Sequence, residues 1–225
     1  MPAPRGTKGP SAAALGLVAF AVVLAPVGLA ADDQPPRHVI YLHGRIVQEE
    51  QSARPRSPRF GFYEMASILA AFRDRGFAVT GEVRPKSASV GESADRVVAQ
   101  VRRLLDSGVP ADHVTVVGAS MGAGIALVAS ARLENRDLRF AVLGTCLSTN
   151  VRAIRRSAER TPSGHVLSIR EASDASTEPC PAWTEDQPSL ETREILLQTG
   201  LSHGFLYRPL REWMDPVVEW ALAKS

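Results

Sequence analysis

The chain is poor in most features that announce a specialised chemistry. Among its 225 residues there are two cysteines, three tryptophans and 6% aromatics. Only three lysines accompany 23 arginines, a skew that carries no mechanistic weight. The histidines at 38, 43, 113, 165 and 203 are far apart, with no H-E-x-x-H and no C-x-x-C spacing, so the sequence suggests no metal site. A Gly-rich nucleotide loop is also missing, and no cofactor is expected. No acidic residue precedes Asp32, whereas Arg5 and Lys8 fall in the first 30 residues; beyond them 24 basic and 24 acidic side chains cancel. A neutral body without a basic helix or Arg/Lys run excludes nucleic acid as the main partner.

What is present begins with an address. Residues 1–30 combine a short basic region, an apolar run from Ala12 to Leu29 and small residues at Gly28 and Ala30. This is the layout of a cleaved secretory signal peptide, with cleavage after Ala30 or Ala31. Export to the periplasm or medium is therefore expected, with no stable membrane association after cleavage. The alternative is retention of the run as an anchor, since it approaches the length that spans a bilayer. Residues 31–225 read as one domain.

Strand and helix then alternate. Short apolar runs at 37–42, 77–83, 114–117, 140–143, 166–169 and 194–197 read as buried strands. Helical stripes appear at 63–75 (Met65, Ile68, Leu69, Phe72) and at 93–107 (Val97, Val98, Val101, Leu104, Leu105). Residues 122–133 are small and apolar on all sides, as for a helix pressed on a sheet. A last helix is expected over 209–223, interrupted at Pro216, and the polar stretch 48–59 reads as a loop. Six strands joined by crossovers imply an α/β fold, a mostly parallel sheet covered by helices on both faces.

Gly118-Ala-Ser120-Met-Gly122 is a G-x-S-x-G between a strand and a helix. A serine hydroxyl becomes a useful nucleophile only when a tight turn holds it where a base can reach it and backbone N–H groups can receive an oxyanion. With this motif, Leu42-His43-Gly44 and Leu201-Ser202-His203-Gly204, the chain resembles the α/β-hydrolase family. Tyr41-Leu-His-Gly-Arg45 and Thr199-Gly-Leu-Ser-His-Gly-Phe205 are similar to phrases in small exported bacterial hydrolases of unassigned substrate.

The resemblance implies a compact serine hydrolase in which Ser120 is the nucleophile and His203 the base, with an acid between them in the chain. Asp174 is the leading candidate for that acid, and Glu171 and Asp186 are the others. The oxyanion donors would be the N–H groups of Met121 and Arg45, with Gly44 allowing close approach. His165, His38 and His113, at strand starts, read as structural. Only about seven residues separate the cleavage site from the strand before His43, which leaves no room for the family's first two strands. The stretch between Leu143 and His165 is too short for a large lid domain. The family's strand order would also bring the loops after 143 and 169 together, and with them Cys146 and Cys180 as a disulfide.

Three functions fit: cleavage of a small carboxylic ester, action on a peptide or thioester with the same machinery, or binding on an inactive scaffold. Each has a small molecule as partner. Whether Arg45, Arg54, Arg56 and Arg59 recognise an anionic group or are solvated stays open at this stage.

Overall fold

The structure, a computed structural model, describes residues 1–3, 6, 9, 35–144, 161–177 and 190–223. The chain divides into a unit at 1–33, whose few described residues have no regular structure, and a unit at 34–225 that carries every element below. The apolar run, Cys146, Cys180 and Asp186 lie outside the described residues. No described helix is long and apolar enough to cross a membrane.

Six strands form one sheet: β1 (His38–Leu42), β4 (Ala78–Thr80), β5 (Val114–Ala119), β6 (Arg139–Leu143), β7 (Gly164–Glu171) and β8 (Leu190–Leu197). Their order is β4-β1-β5-β6-β7-β8 and every pair is parallel. Two minimal strands, β2 (Arg56–Ser57) and β3 (Gly61–Phe62), form a separate ribbon.

Alternation along the strands splits the core in two. Val39, Tyr41, Val117, Ala119, Ala141 and Leu143 face one side with α2 (Met65–Arg73) and the last helix, α5 (Arg211–Leu222). Ile40, Leu42, Val114, Val116, Phe140 and Val142 face the other, with α3 (Val90–Asp106) and α4 (Met121–Leu133). The expected architecture, a parallel sheet with helices on both faces, is what the chain forms. Among the described residues no strand precedes β1.

The register aligns the chemistry. Leu42 pairs with Gly118, Ala119 with Leu143, Leu143 with Ile169, and Glu171 with Leu197. The segments that leave these strands therefore start at one edge. From β1 the chain moves outward to β4, and from β5 it moves the other way through β6 to β8. The crevice between β1 and β5 is thus the topological switch point, where α/β sheets place ligands.

Four details differ from the expectation. Residues 48–59 are not all loop: α1 (Arg45–Glu50) and β2 cover part of them, and Gln48 is buried, donating to the carbonyls of Pro85, Lys86 and Ala88. A six-residue helix without a capping side chain leaves no periodic signal, and Gln48 is held by partners far along the chain. Helix α5 runs unbroken through Pro216, because Trp213, Met214, Val217, Trp220 and Ala221 are buried on one face and that packing outweighs one missing N–H. Helix α3 starts earlier than its apolar stripe, at a capping box between Ser89 and Glu92. Strands β7 and β8 extend beyond their apolar runs, β8 with exposed polar residues from Glu191 to Glu194.

Trp213 is fully buried against Phe72 and its indole N–H donates to the Arg208 carbonyl at 2.9 Å. Trp213→Ala should therefore cost about 3–5 kcal/mol, measured by urea unfolding followed by circular dichroism.

Candidate active site

Ser120 joins β5 to α4 with φ 53° and ψ −115°, in the positive-φ region that a serine rarely occupies. The backbone around it explains the conformation. A Cβ on Gly118 would overlap the Gly122 carbonyl, and one on Gly122 would overlap the Leu42 carbonyl. The first turn of α4 thus sits directly on the ends of β5 and β1, and only glycine permits it. The Ser120 N–H donates to the Leu143 carbonyl at 2.8 Å, which fixes the turn to β6.

His203 lies in a short 3-10 turn, Ser202–Tyr207, after β8. Its Nε2 is 2.9 Å from Ser120 Oγ and its Nδ1 is 2.6 Å from Asp174 Oδ2. With an ionised carboxylate at Nδ1 the imidazole carries its proton there, leaving Nε2 free to accept from the hydroxyl. Asp174 is buried, and its other oxygen accepts from the Ser176 N–H and hydroxyl. Serine, histidine and aspartate thus come from three different strand ends and meet in one hydrogen-bonded row. Such a row can move a proton off a hydroxyl and hold the resulting imidazolium.

Glu171, the other described acid candidate, does not touch His203. It is 1% exposed and its carboxylate accepts from five donors: the Ser173 N–H and hydroxyl, the Thr199 N–H and hydroxyl, and the Gly200 N–H. The Ser173 hydroxyl in turn accepts from the Ser202 N–H at 3.0 Å. Glu171 is therefore a clamp that ties the segment carrying Asp174 to the segment carrying His203. Burial alone would raise its pKa, but the bonds from Thr199 and Ser173 outweigh this and hold it below the ordinary value.

The two amides expected to receive an oxyanion are those of Arg45 and Met121, the first residues of α1 and α4. Amides at that position have no acceptor within their own helix. Gly44, which precedes Arg45, lies beside the serine: a Cβ built on it would stand in ordinary contact, 3.6 Å, with Ser120 Cβ. His43 is fully buried and faces away from the reaction. The Arg84 N–H donates to His43 Nε2 at 3.0 Å, so the ring proton is on Nδ1 and donates to the Gly44 carbonyl at 2.8 Å. This bond fixes the Gly44–Arg45 peptide. Burial, and then the charge of Arg84, lower the His43 pKa to about 4, so the ring is neutral.

A cleft of about 480 Å³ borders Asp174 and His203, and is lined also by Arg59, Phe60, Ala175 and Ser176. Of the four arginines singled out in the sequence, Arg54 and Arg56 lie over the Phe62 ring, whereas Arg59 stacks on Phe60, 5.0 Å from its centroid, at the cleft. The other histidines are structural. His113 bonds the Pro35 carbonyl, His165 pairs with Glu191, and His38 opens β1. Sequence reasoning missed Arg84, Gln48 and Tyr63, none of which belongs to a motif; Tyr63 is bonded hydroxyl to hydroxyl with Tyr41 behind Gly44.

No protein-family model matches the chain. An acetyl-hydrolase of Streptomyces hygroscopicus is 30% identical over 117 residues, 51% of this chain; the match spans 36% of that relative's length. Among solved structures, that of DcsB with a substrate analogue superposes with a TM-score of 0.59 at 11% identity, covering 84% of this chain and 90% of that one. A protein of unknown function from Agrobacterium tumefaciens, described as an α/β hydrolase, gives 0.55 at 15% identity over 84% and 85%. The metagenome-derived lipolytic enzymes LipS and LipT give 0.53 at 13% over 84% and 93%. The fold is that of the α/β hydrolases.

His43 and Glu171 make the fold acid-sensitive in separate windows. The lowered His43 pKa means the unfolded chain binds its proton first, so stability falls as pH drops from 6.5 to about 4. The depressed Glu171 pKa gives stability that is full above its ordinary 4.5 and is lost as pH falls below it. In urea titrations across this range, His43→Asn should flatten the upper limb and Glu171→Gln the lower. At neutral pH Glu171→Gln should also cost about 2–3 kcal/mol, since an amide cannot accept from all five donors.

Proposed function

We propose that the protein is an exported serine hydrolase that cleaves small carboxylic esters through an acyl-enzyme. The observation that carries this reading is the row Asp174–His203–Ser120, at 2.6 and 2.9 Å, at the switch point of the sheet. In the reaction Ser120 Oγ attacks the ester carbonyl carbon while His203 Nε2 takes the hydroxyl proton. The tetrahedral oxyanion receives the N–H groups of Arg45 and Met121. As the intermediate collapses, the carbon–oxygen bond to the leaving alcohol breaks and His203 returns the proton to that oxygen. Water, deprotonated by His203, then attacks the acyl carbon; the bond from that carbon to Ser120 Oγ breaks, His203 returns the proton to Oγ and the carboxylic acid leaves. Asp174 holds the imidazole proton on Nδ1 and stabilises the cation at each turn.

The acetyl-hydrolase among the relatives supports a short acyl group. The cleft beside His203 agrees with this, since its described lining offers few apolar walls, Phe60 and Ala175. Each additional buried CH₂ would contribute about 0.8 kcal/mol only where such a wall exists. The layout of residues 1–30 supports export.

Ser120→Ala should abolish turnover of p-nitrophenyl acetate and labelling by a fluorophosphonate, with thermal unfolding nearly unchanged. Asp174→Asn should lower kcat by roughly 10³–10⁴. Full activity in Ser120→Ala would overturn the reading. Across p-nitrophenyl esters of increasing length, kcat/KM should peak among short acyl chains; a steady climb past about eight carbons, several CH₂ increments, would contradict the short-acyl assignment.

A further inference from the structure

A second cavity, of about 430 Å³, lies at the β4 edge of the sheet and shares no lining residue with the cleft beside His203. Its walls come from β1, from α2 and α3, and from the segment after β4, and they are basic. Arg73, Arg84, Arg96 and Arg103 line it against one carboxylate, Glu82. Ser93, Arg96, Val97, Gln100 and Arg103 recur at helical spacing, so one face of α3 presents two guanidinium groups and an amide along the cavity. Among the described residues Arg73, Arg84 and Arg103 form no salt bridge, and Arg96 is attracted to Glu92 one turn earlier.

Two lining residues are also buried with an unused hydrogen-bonding atom. Arg84 is 6% exposed and its Nη1 has no partner; Ser93 is 3% exposed and its Oγ has none. Both atoms are themselves closed off from the cavity space, so they bear on it only through the charge of the Arg84 guanidinium. The buried guanidinium is bound to neutral groups only, through Nε to the Gln48 amide oxygen and Nη2 to the His43 carbonyl. A buried cation without a counter-charge is costly unless an anion comes to it. Ile40, Val79 and Val97 line the cavity as well, while Arg73, Arg96 and Arg103 are exposed residues that an incoming anion can reach.

We propose that this cavity is a binding site for a small oxyanion carrying two or more negative charges, distinct from the catalytic cleft. Guanidinium groups match phosphate and carboxylate oxygens in paired hydrogen bonds, and the cavity has the size of a small-molecule site. The site borders the catalytic apparatus, because Arg84 holds His43 by two bonds and His43 fixes the Gly44–Arg45 peptide.

The test is calorimetric titration of the purified protein with inorganic phosphate and with citrate, against chloride at equal ionic strength, with thermal shift as a second readout. Saturable binding of phosphate, of citrate or of both, absent with chloride, is expected; a response to one alone identifies a phosphoryl or a polycarboxylate ligand. The double variant Arg96→Gln/Arg103→Gln, with folding checked by circular dichroism, should weaken binding roughly tenfold or more. Arg73→Gln, on a different helix, should weaken it independently and serves if the double variant misfolds. Ser120→Ala, at the serine bonded to His203, and Arg59→Gln, at the cleft beside His203, should bind as the parent does, so that failure here is distinguishable from failure of the hydrolase reading. Absence of saturable binding, undiminished affinity in the cavity variants, or loss of binding in Arg59→Gln would overturn the proposal.

Discussion

Everything at the site depends on a contact between bare backbones. Parallel pairing sets Leu42 beside Gly118, and α4 starts on top of both strand ends. No side chain fits between these layers, so residues 118 and 122 lack one and the residue between them is forced to positive φ. Strain of this kind costs on the order of 1–3 kcal/mol and persists only where its surroundings over-determine it. Here the surroundings are α4, with ten buried residues, and a β5 buried throughout. Core packing that has no chemistry of its own therefore holds one hydroxyl out at the sheet edge. Gly44, in ordinary contact range of Ser120, precedes the first residue of α1.

The second half of the site is held differently. Asp174 and His203 lie on segments that leave β7 and β8, where the sheet reaches its solvent-facing edge. There a buried carboxylate joins the two segments. Glu171 is the last residue of β7 and opposes Leu197, so its oxygens reach the amides of both segments at once. Two acids three residues apart thus divide the work by reach: the nearer one organises backbone, and the farther one meets the imidazole. A turn bonded through Asp174 itself, with the Thr177 N–H on its carbonyl and the Ser176 N–H on its side chain, completes the arrangement.

This division explains what was legible in the sequence. Strands buried on both faces announce themselves as short apolar runs, and α3 by its stripe, because burial leaves a periodic trace. The Ser120 elbow was legible because backbone crowding demands glycines at fixed spacing. Asp174 was reached through the family likeness and its turn-forming neighbours, but nothing local separated its role from that of Glu171. That distinction is made by Thr199 and Gly200, which come from another strand. Helix α1, the β2–β3 ribbon and the continuity of α5 through Pro216 were not legible for the same reason. Gln48 is fixed by carbonyls some forty residues away, and α5 by the core it covers.

The two histidines of the site are held in different ways. His203 is bonded through Nδ1 to the Asp174 carboxylate at 2.6 Å. On the oxyanion side burial and Arg84 keep His43 neutral, with its pKa near 4. A protonated His43 would have to give up its bond from the Arg84 N–H, because a charged ring has no acceptor nitrogen. Neutrality is thus what allows one ring to accept at Nε2 and donate at Nδ1, fixing the peptide that presents the Arg45 amide. Arg84 contributes the positive charge there instead, donating from Nη2 to the His43 carbonyl. Desolvation lowers even its pKa, to about 10, yet it stays ionised at neutral pH. In the proposed reaction, negative charge developing near Ser120 would meet the Arg84 guanidinium, bonded to the His43 carbonyl, on one side and the His203 imidazole on the other.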